Sequence, residues 1–175
     1  MRTNRKRLLL LQLAAALAIP CVGQTLSEHE HAKAVPSTGL TVTIDGHSAP
    51  LTVADLQTLP QKTITVHNEH TKADETYTGV APSDLLAKYG ATFDRASEKK
   101  IFHSYLRVEG TDHDYVLYSG GEIESAIYDA DVIVAIALKG KPLTVDGQIK
   151  LVASAEKRPA RWVRNLSAIT LVTVP

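Results

Sequence analysis

Cysteine is almost absent from this chain of 175 residues: Cys21 is the only one. No disulfide can therefore close within the chain, and beyond residue 21 there is no thiolate to ligate a metal. Tryptophan also occurs once, as Trp162. The signatures of common hydrolytic and phosphate-binding sites are missing, with no Gly-x-Ser-x-Gly, no His-Glu-x-x-His and no phosphate-cradling Gly loop. Asp129 and Asp131 are paired carboxylates, but their spacing just before an apolar run is that of an ordinary turn. No apolar run reaches the ~20 residues that a membrane-spanning helix needs, and there are no repeats or low-complexity stretches.

What is present begins with a targeting pattern. Arg2, Arg5, Lys6 and Arg7 precede the apolar run Leu8 to Ile19, which only Gln12 interrupts, and small residues surround Cys21-Val22-Gly23. A basic start, a short apolar run and small residues together predict a secretory signal peptide over residues 1–23, and hence a periplasmic or secreted protein. Lipidation of Cys21 is the alternative, which Pro20 disfavours. Removing the signal leaves 15 Lys and Arg against 19 Asp and Glu, so the mature charge is about −4 rather than the formal zero of the whole chain. A mildly acidic chain has no general attraction for nucleic acid. About 150 residues bury roughly 68–70% of their unfolded surface, enough for one domain without covalent staples.

Residues 24–39 have no periodic apolar face and read as a flexible leader, with His29-Glu30-His31 inside it as a two-histidine metal possibility. A single domain is expected over 40–175. Leu40 to Ile44 alternates apolar and hydroxyl residues as a strand, and Asp45-Gly46 is a tight-turn dipeptide. Thr52 and Asp55 have the spacing of a capping box, for a helix that stops before Pro60. Lys62 to Val66 is a second strand. Val80 to Gly90 is the clearest helix, with Pro82 at its start, Leu85, Leu86 and Tyr89 on its inner face and Gly90 at its end. Ala91 to Lys100 is expected to connect to strands at Phe102 to Val108 and Tyr115 to Tyr118. Ser119 and Glu122 then predict a capped helix through Ile127. Val132 to Leu138 has no polar residue and predicts a strand buried on both faces. Short strands mixed with short helices, without regular alternation, predict an α+β fold with mixed sheets.

The densest basic cluster beyond the N-terminus lies between two apolar runs: Lys157, Arg158, Arg161 and Arg164 fall within eight residues and surround Trp162. Arginine presents a planar fork suited to oxyanions and keeps its charge. If Arg161 and Arg164 share a helical turn, their spacing puts them on one face. The alternative is that they brace the fold through ion pairs and a stack on Trp162.

Ile44-Asp-Gly with Leu51-Thr-Val-Ala-Asp-Leu, Tyr77-Thr-Gly-Val-Ala-Pro-Ser-Asp-Leu-Leu, Glu122-Ile, Val132-Ile-Val-Ala, Lys139-Gly-Lys-Pro-Leu and Lys157-Arg-Pro-Ala-Arg-Trp-Val-Arg follow one another from Leu40 to Val174. In this order the pieces resemble the molybdopterin-binding domain of the sulfite oxidase-type oxidoreductases. The resemblance implies a compact α+β fold holding a molybdenum cofactor for oxygen-atom transfer or reduction. Catalytic members ligate molybdenum through a Cys after the second strand; this chain has Val66-His67-Asn68-Glu69-His70 there. Imidazole and carboxylate do not reproduce a soft thiolate. Enzymes of that type also cross the membrane folded on a twin-arginine signal, whereas Arg5-Lys6-Arg7 looks like an ordinary signal for unfolded export.

The expectation is thus a molybdopterin-binding-like domain without molybdenum chemistry, a module for a small anionic or pterin-like ligand or a partner protein. Arg158, Arg161, Arg164 and His67 are the candidate ligand-binding residues. One alternative is a molybdopterin oxidoreductase that holds its cofactor without protein sulfur. Another is a divalent-metal binder through His67, Glu69 and His70, with His113 as a further donor. The targeting pattern predicts that the exported protein begins at Gln24; an intact mass that retains residues 1–23 would reject the signal assignment.

Overall fold

The computed structural model describes residues 34–175, which fall in one compact unit. The signal expected over 1–23, Cys21 and the His29-Glu30-His31 run lie outside the described residues. Leu40, Val42 and Ile44 turn inward from β1 (Gly39–Ile44), and Asp45-Gly46 forms the predicted turn with φ of 47° and 82°. The chain returns as β2 (His47–Thr52), a strand that the sequence did not signal. It lies at a sheet edge with mostly exposed side chains and accommodates Pro50, so no alternation marks it.

The predicted capping box opens α1 (Val53–Gln57). The Thr52 hydroxyl accepts from the Asp55 amide at 3.2 Å, and the Asp55 carboxylate accepts from the Thr52 amide at 2.8 Å. β3 (Lys62–Asn68) pairs with β4 (Ala73–Val80), a second unexpected strand whose polar first half hid its period. α2 (Pro82–Ala87) starts on Pro82, buries Leu85 and Leu86, and is followed by Gly90 at φ 91°. The expected connector carries a 3₁₀ turn, Arg95–Ser97, and α3 (Glu98–Phe102). Phe102 therefore ends a helix instead of beginning a strand. Ile101 is the residue that this helix buries, and Phe102 is left 59% exposed.

β5 (Ser104–Gly110) and β6 (Tyr115–Ser119) form the predicted hairpin. Ser119 and Glu122 do form a box, but it caps only a 3₁₀ turn, Gly120–Ile123, and not a helix to Ile127. Two glycines at its start, with poor helix propensity, fit that short length. There follow β7 (Val132–Leu138), β8 (Lys141–Pro142), β9 (Lys150–Ala153), a 3₁₀ turn at Pro159–Arg161, and β10 (Leu166–Thr173).

The strands make two sheets. The first, in the order β2-β1-β10-β5-β6, is mixed because β10 runs parallel to β1 and antiparallel to β5. The second is antiparallel, with β7 between β4 on one side and β8 and β9 on the other. Inward residues of both sheets, with Leu56, Leu85 and Leu86 from the helices, join one apolar core. The architecture is α+β, as predicted: two sheets and a few short helices.

Two features link the sheets. Leu151 and Val163 exchange backbone hydrogen bonds of 2.9 and 3.2 Å, so the basic segment runs beside β9 before the chain enters β10. The stretch expected as leader is also tied down before residue 39. The Val35 backbone bonds Thr111 Oγ1, and buried Ser37 donates through Oγ to the Ile149 carbonyl at 3.3 Å. Among the described residues no helix is long and apolar enough to cross a membrane.

β4 meets β7 at Gly79, where the register shifts, and a Cβ there would lie 2.1 Å from the Val134 carbonyl oxygen. Backbone must move to admit even a methyl group. Gly79→Ala is expected to cost about 2 kcal/mol or more of unfolding free energy in urea; an unchanged midpoint would show that this contact yields.

Candidate functional site

The three candidate arginines go to three different places. The spacing of Arg161 and Arg164 does not become a helical turn, because Trp162 is extended at φ −72° and ψ 136° and Val163 bridges to Leu151. Arg161 turns toward the edge of the first sheet. Its Nη2 lies 2.5 Å from Glu156 Oε1 and 3.0 Å from Glu122 Oε1, its Nη1 donates to the Leu117 carbonyl at 3.4 Å, and its guanidinium lies 4.5 Å from the Tyr118 ring centre. Tyr118 completes the joint by donating from its hydroxyl to the Arg161 carbonyl at 2.8 Å. The crevice here is about 10 Å³, at the lower limit for one water. Arg161 braces the fold. Both carboxylates, Glu122 and Glu156, are its partners here.

Arg164 is exposed and only loosely paired, with Nη1 4.0 Å from Asp146 Oδ1. Arg158 is exposed at the start of the 3₁₀ turn. It stands near enough to Glu69 to help Lys72 hold that carboxyl below the usual glutamate range. Since Glu69 Oε1 lies 3.8 Å from His67 Nε2, Arg158 and His67 do share one end of the second sheet.

The predicted metal donors are otherwise engaged. His67 Nδ1 pairs with Asp74 at 2.8 Å and Glu69 with Lys72 at 2.5 Å, while His70 meets Asn68 Oδ1 through its backbone amide. The chain bends over residues 69–72, after Asn68, which is itself buried. His113 is held in the β5–β6 turn by Glu109 at 3.0 Å. Among the described residues no three His, Cys, Asp or Glu side chains are gathered to hold a metal ion.

The residue that sequence reasoning missed is Lys150. It is half-buried at the start of β9, with Nζ 5.5 Å from the Tyr77 ring centre and 5.3 Å from that of Trp162. The two rings meet edge to face at 5.9 Å, and Trp162 is fixed by its indole N–H donating to the Ala153 carbonyl at 2.9 Å. Nζ donates to Tyr77 Oη at 3.5 Å, and among the described residues it forms no ion pair. Burial pushes the Lys150 ammonium below its usual pKa; Asp146 and Glu75 oppose this and the Arg164 charge adds to it. Tyr77 donates to Glu75 Oε2 at 2.6 Å, and Glu75 also accepts from Asn68 Nδ2 at 2.9 Å and Thr71 Oγ1 at 3.0 Å. Those bonds outweigh burial, the largest single influence, and leave Glu75 below the usual glutamate range.

The result is a half-buried cation on an aromatic floor, with a second cation beside it and a hydroxyl within reach. Two carboxylates, Asp146 and Glu75, also act on Lys150, but neither lies within ion-pair range of its Nζ. A separate cleft of about 570 Å³ lies beside α2, lined by Asp84, Asp94 and Glu124 and by Lys62, which is paired to Asp131. Its acidic walls do not suit an anion. Neither the protein-family models nor the curated proteins compared with the chain include a match.

Removing Arg161 leaves Glu122 and Glu156 facing each other across a vacated joint. Arg161→Ala is expected to cost about 1–2 kcal/mol, less than a fully buried pair because the arginine side chain is 37% exposed. Burial raises the Glu122 pKa, but the Ser119 and Arg161 hydrogen bonds and the Arg161 charge outweigh it and hold it below its usual 4.5. A depressed carboxylate stabilises the fold above its unfolded pKa, and that contribution is lost as pH falls through the folded value. The variant should therefore lose less stability than wild type between pH 7 and about pH 3. Urea midpoints at both pH values check this, and equal stability of the two proteins at pH 7 would reject the bracing role.

Proposed function

We propose that the protein is an exported binding module of the sulfite oxidase-type molybdopterin-binding fold that takes a small anionic ligand. Lys150 and Arg164 hold the anion, and Arg158 extends the basic rim toward His67. The observation that carries this reading is Lys150, a half-buried ammonium that forms no ion pair among the described residues, while Arg164 beside it is paired only at 4.0 Å. A phosphate, sulfate or carboxylate group supplies the direct partner that Asp146 and Glu75, acting on Lys150 from beyond ion-pair range, do not, and a hydrogen bond to a charged group contributes about 1.5–3 kcal/mol.

Molybdenum does not fit the donor set. The segment matching the family's cysteine position presents imidazole, amide and carboxylate groups, and these are tied to Asp74, Glu75 and Lys72. Nitrogen and oxygen donors of this kind do not replace a thiolate. The ligand reading therefore stands on the basic face alone and involves no oxygen-atom transfer.

Trp162 is the only tryptophan and touches Lys150, so its emission reports directly on the site. Titration with inorganic phosphate should change that emission saturably and show the same midpoint by calorimetry. Lys150→Gln should weaken binding about tenfold or more and Arg164→Ala severalfold. No saturable response to phosphate, sulfate or acetate would overturn the anion site. Molybdenum near one atom per chain in protein from its native host would favour the oxidoreductase alternative instead.

A further inference from the structure

Lys150 Nζ, Tyr77 Oη and Glu75 Oε2 stand in sequence, 3.5 Å and 2.6 Å apart. Tyr77 gives its own proton to Glu75, so an oxygen lone pair is left for the lysine. Asn68 and Thr71 hold the two carboxylate oxygens from the other side, which fixes the end of the chain of bonds. Asn68 and Tyr77 are buried, while Glu75 at the far end of the relay is partly exposed beside Thr71. An amine used only for charge needs neither a relay nor an aromatic floor. An amine that must shed a proton and attack a carbon uses both, because the relay accepts the proton and the apolar rings keep the free base from being strongly hydrated.

We propose that Lys150 is a carbonyl-reactive amine, and that the ligand of this site is a small anion bearing an aldehyde or ketone, its charge lying against Arg164. The proposal rests on the anion-site reading and narrows its ligand. The Lys150 ammonium passes one proton through Tyr77 Oη to Glu75; the hydrogen bonds to Glu75 favour its carboxylate, so this form is transient and capture of the carbonyl draws it forward. The freed nitrogen pair forms a C–N bond to the carbonyl carbon, and the carbonyl π pair moves to oxygen. A proton moves from nitrogen to that oxygen, giving a carbinolamine. The proton held by Glu75 then returns to the hydroxyl, the C–O bond breaks, and water leaves a protonated imine. Ammonium plus carbonyl thus gives iminium plus water, with no oxidation or reduction, and water reverses the step.

The test uses pyridoxal 5′-phosphate, which carries both an aldehyde and a phosphate, added at equimolar ratio to the full exported protein. Borohydride then reduces the imine to a stable amine, and peptide mass mapping locates it. Lys150 is expected to carry the largest share of label. Lys150→Arg should remove that share, and Tyr77→Phe should slow imine formation several-fold. Mapping the wild-type protein suffices if either variant fails to fold. Label distributed by exposure, with the 74% exposed Lys72 ahead of Lys150, would overturn the inference. In that event a saturable Trp162 response to inorganic phosphate leaves the anion site standing, and its absence removes both.

Discussion

The fold depends on one strand with nothing polar to offer water. β7 buries five consecutive residues, Val132 to Ile136, and a strand buried on both faces must be covered from two sides. At ~1.5–3 kcal/mol per large apolar side chain, those residues alone contribute on the order of 10 kcal/mol. β4 covers one edge of β7, and β8 and β9 the other. Once β9 is fixed there, its continuation must leave the sheet beside Leu151 and reach β10, the middle strand of the other sheet. The basic segment is that passage, so its path is set by the core before any of its charges matter.

This order of causes explains why three closely spaced arginines do such different work. Backbone pairing of Val163 with Leu151 and burial of Trp162 hold the segment extended, which sends Arg161 and Arg164 apart. Arg161 finds two carboxylates and is spent on structure. Arg158 and Arg164 stay exposed, and Lys150 is left against the rings that the same passage brings together. The basic cluster marks a place in the architecture, and Lys150 stands beside it against Tyr77 and Trp162.

Much of the frame was legible residue by residue. The two capping boxes, the Asp45-Gly46 turn, Pro82 and Gly90 around α2, and the apolar β7 each carry a local physical signal. β2 and β4 did not show because their exposed or charged halves suppress alternation, and α3 was hidden because only Ile101 among its residues is buried. The site was harder still. In sequence Lys150 is merely the polar neighbour of an apolar run, and Tyr77 and Trp162 come from distant parts of the chain. Conversely, the grouping of His67, Glu69 and His70 looked suggestive in one dimension, but the hairpin gives these residues separate partners. The resemblance of the ordered motifs to a molybdopterin-binding domain agrees with the α+β architecture at the level of class.

The Arg161 joint also bears on how copies of this protein behave toward one another. β6 is the last strand of its sheet. Counting along the ladder from the Gly110–Asp114 bond, the Leu117 carbonyl points outward, away from β5. Arg161 donates to that carbonyl, and Glu122 takes the outward Ser119 amide at 2.8 Å. An incoming strand would find these hydrogen-bonding sites taken and a charged cluster in its path. The contact that braces the basic segment against β6 thus also occupies part of an edge that another strand could otherwise pair with.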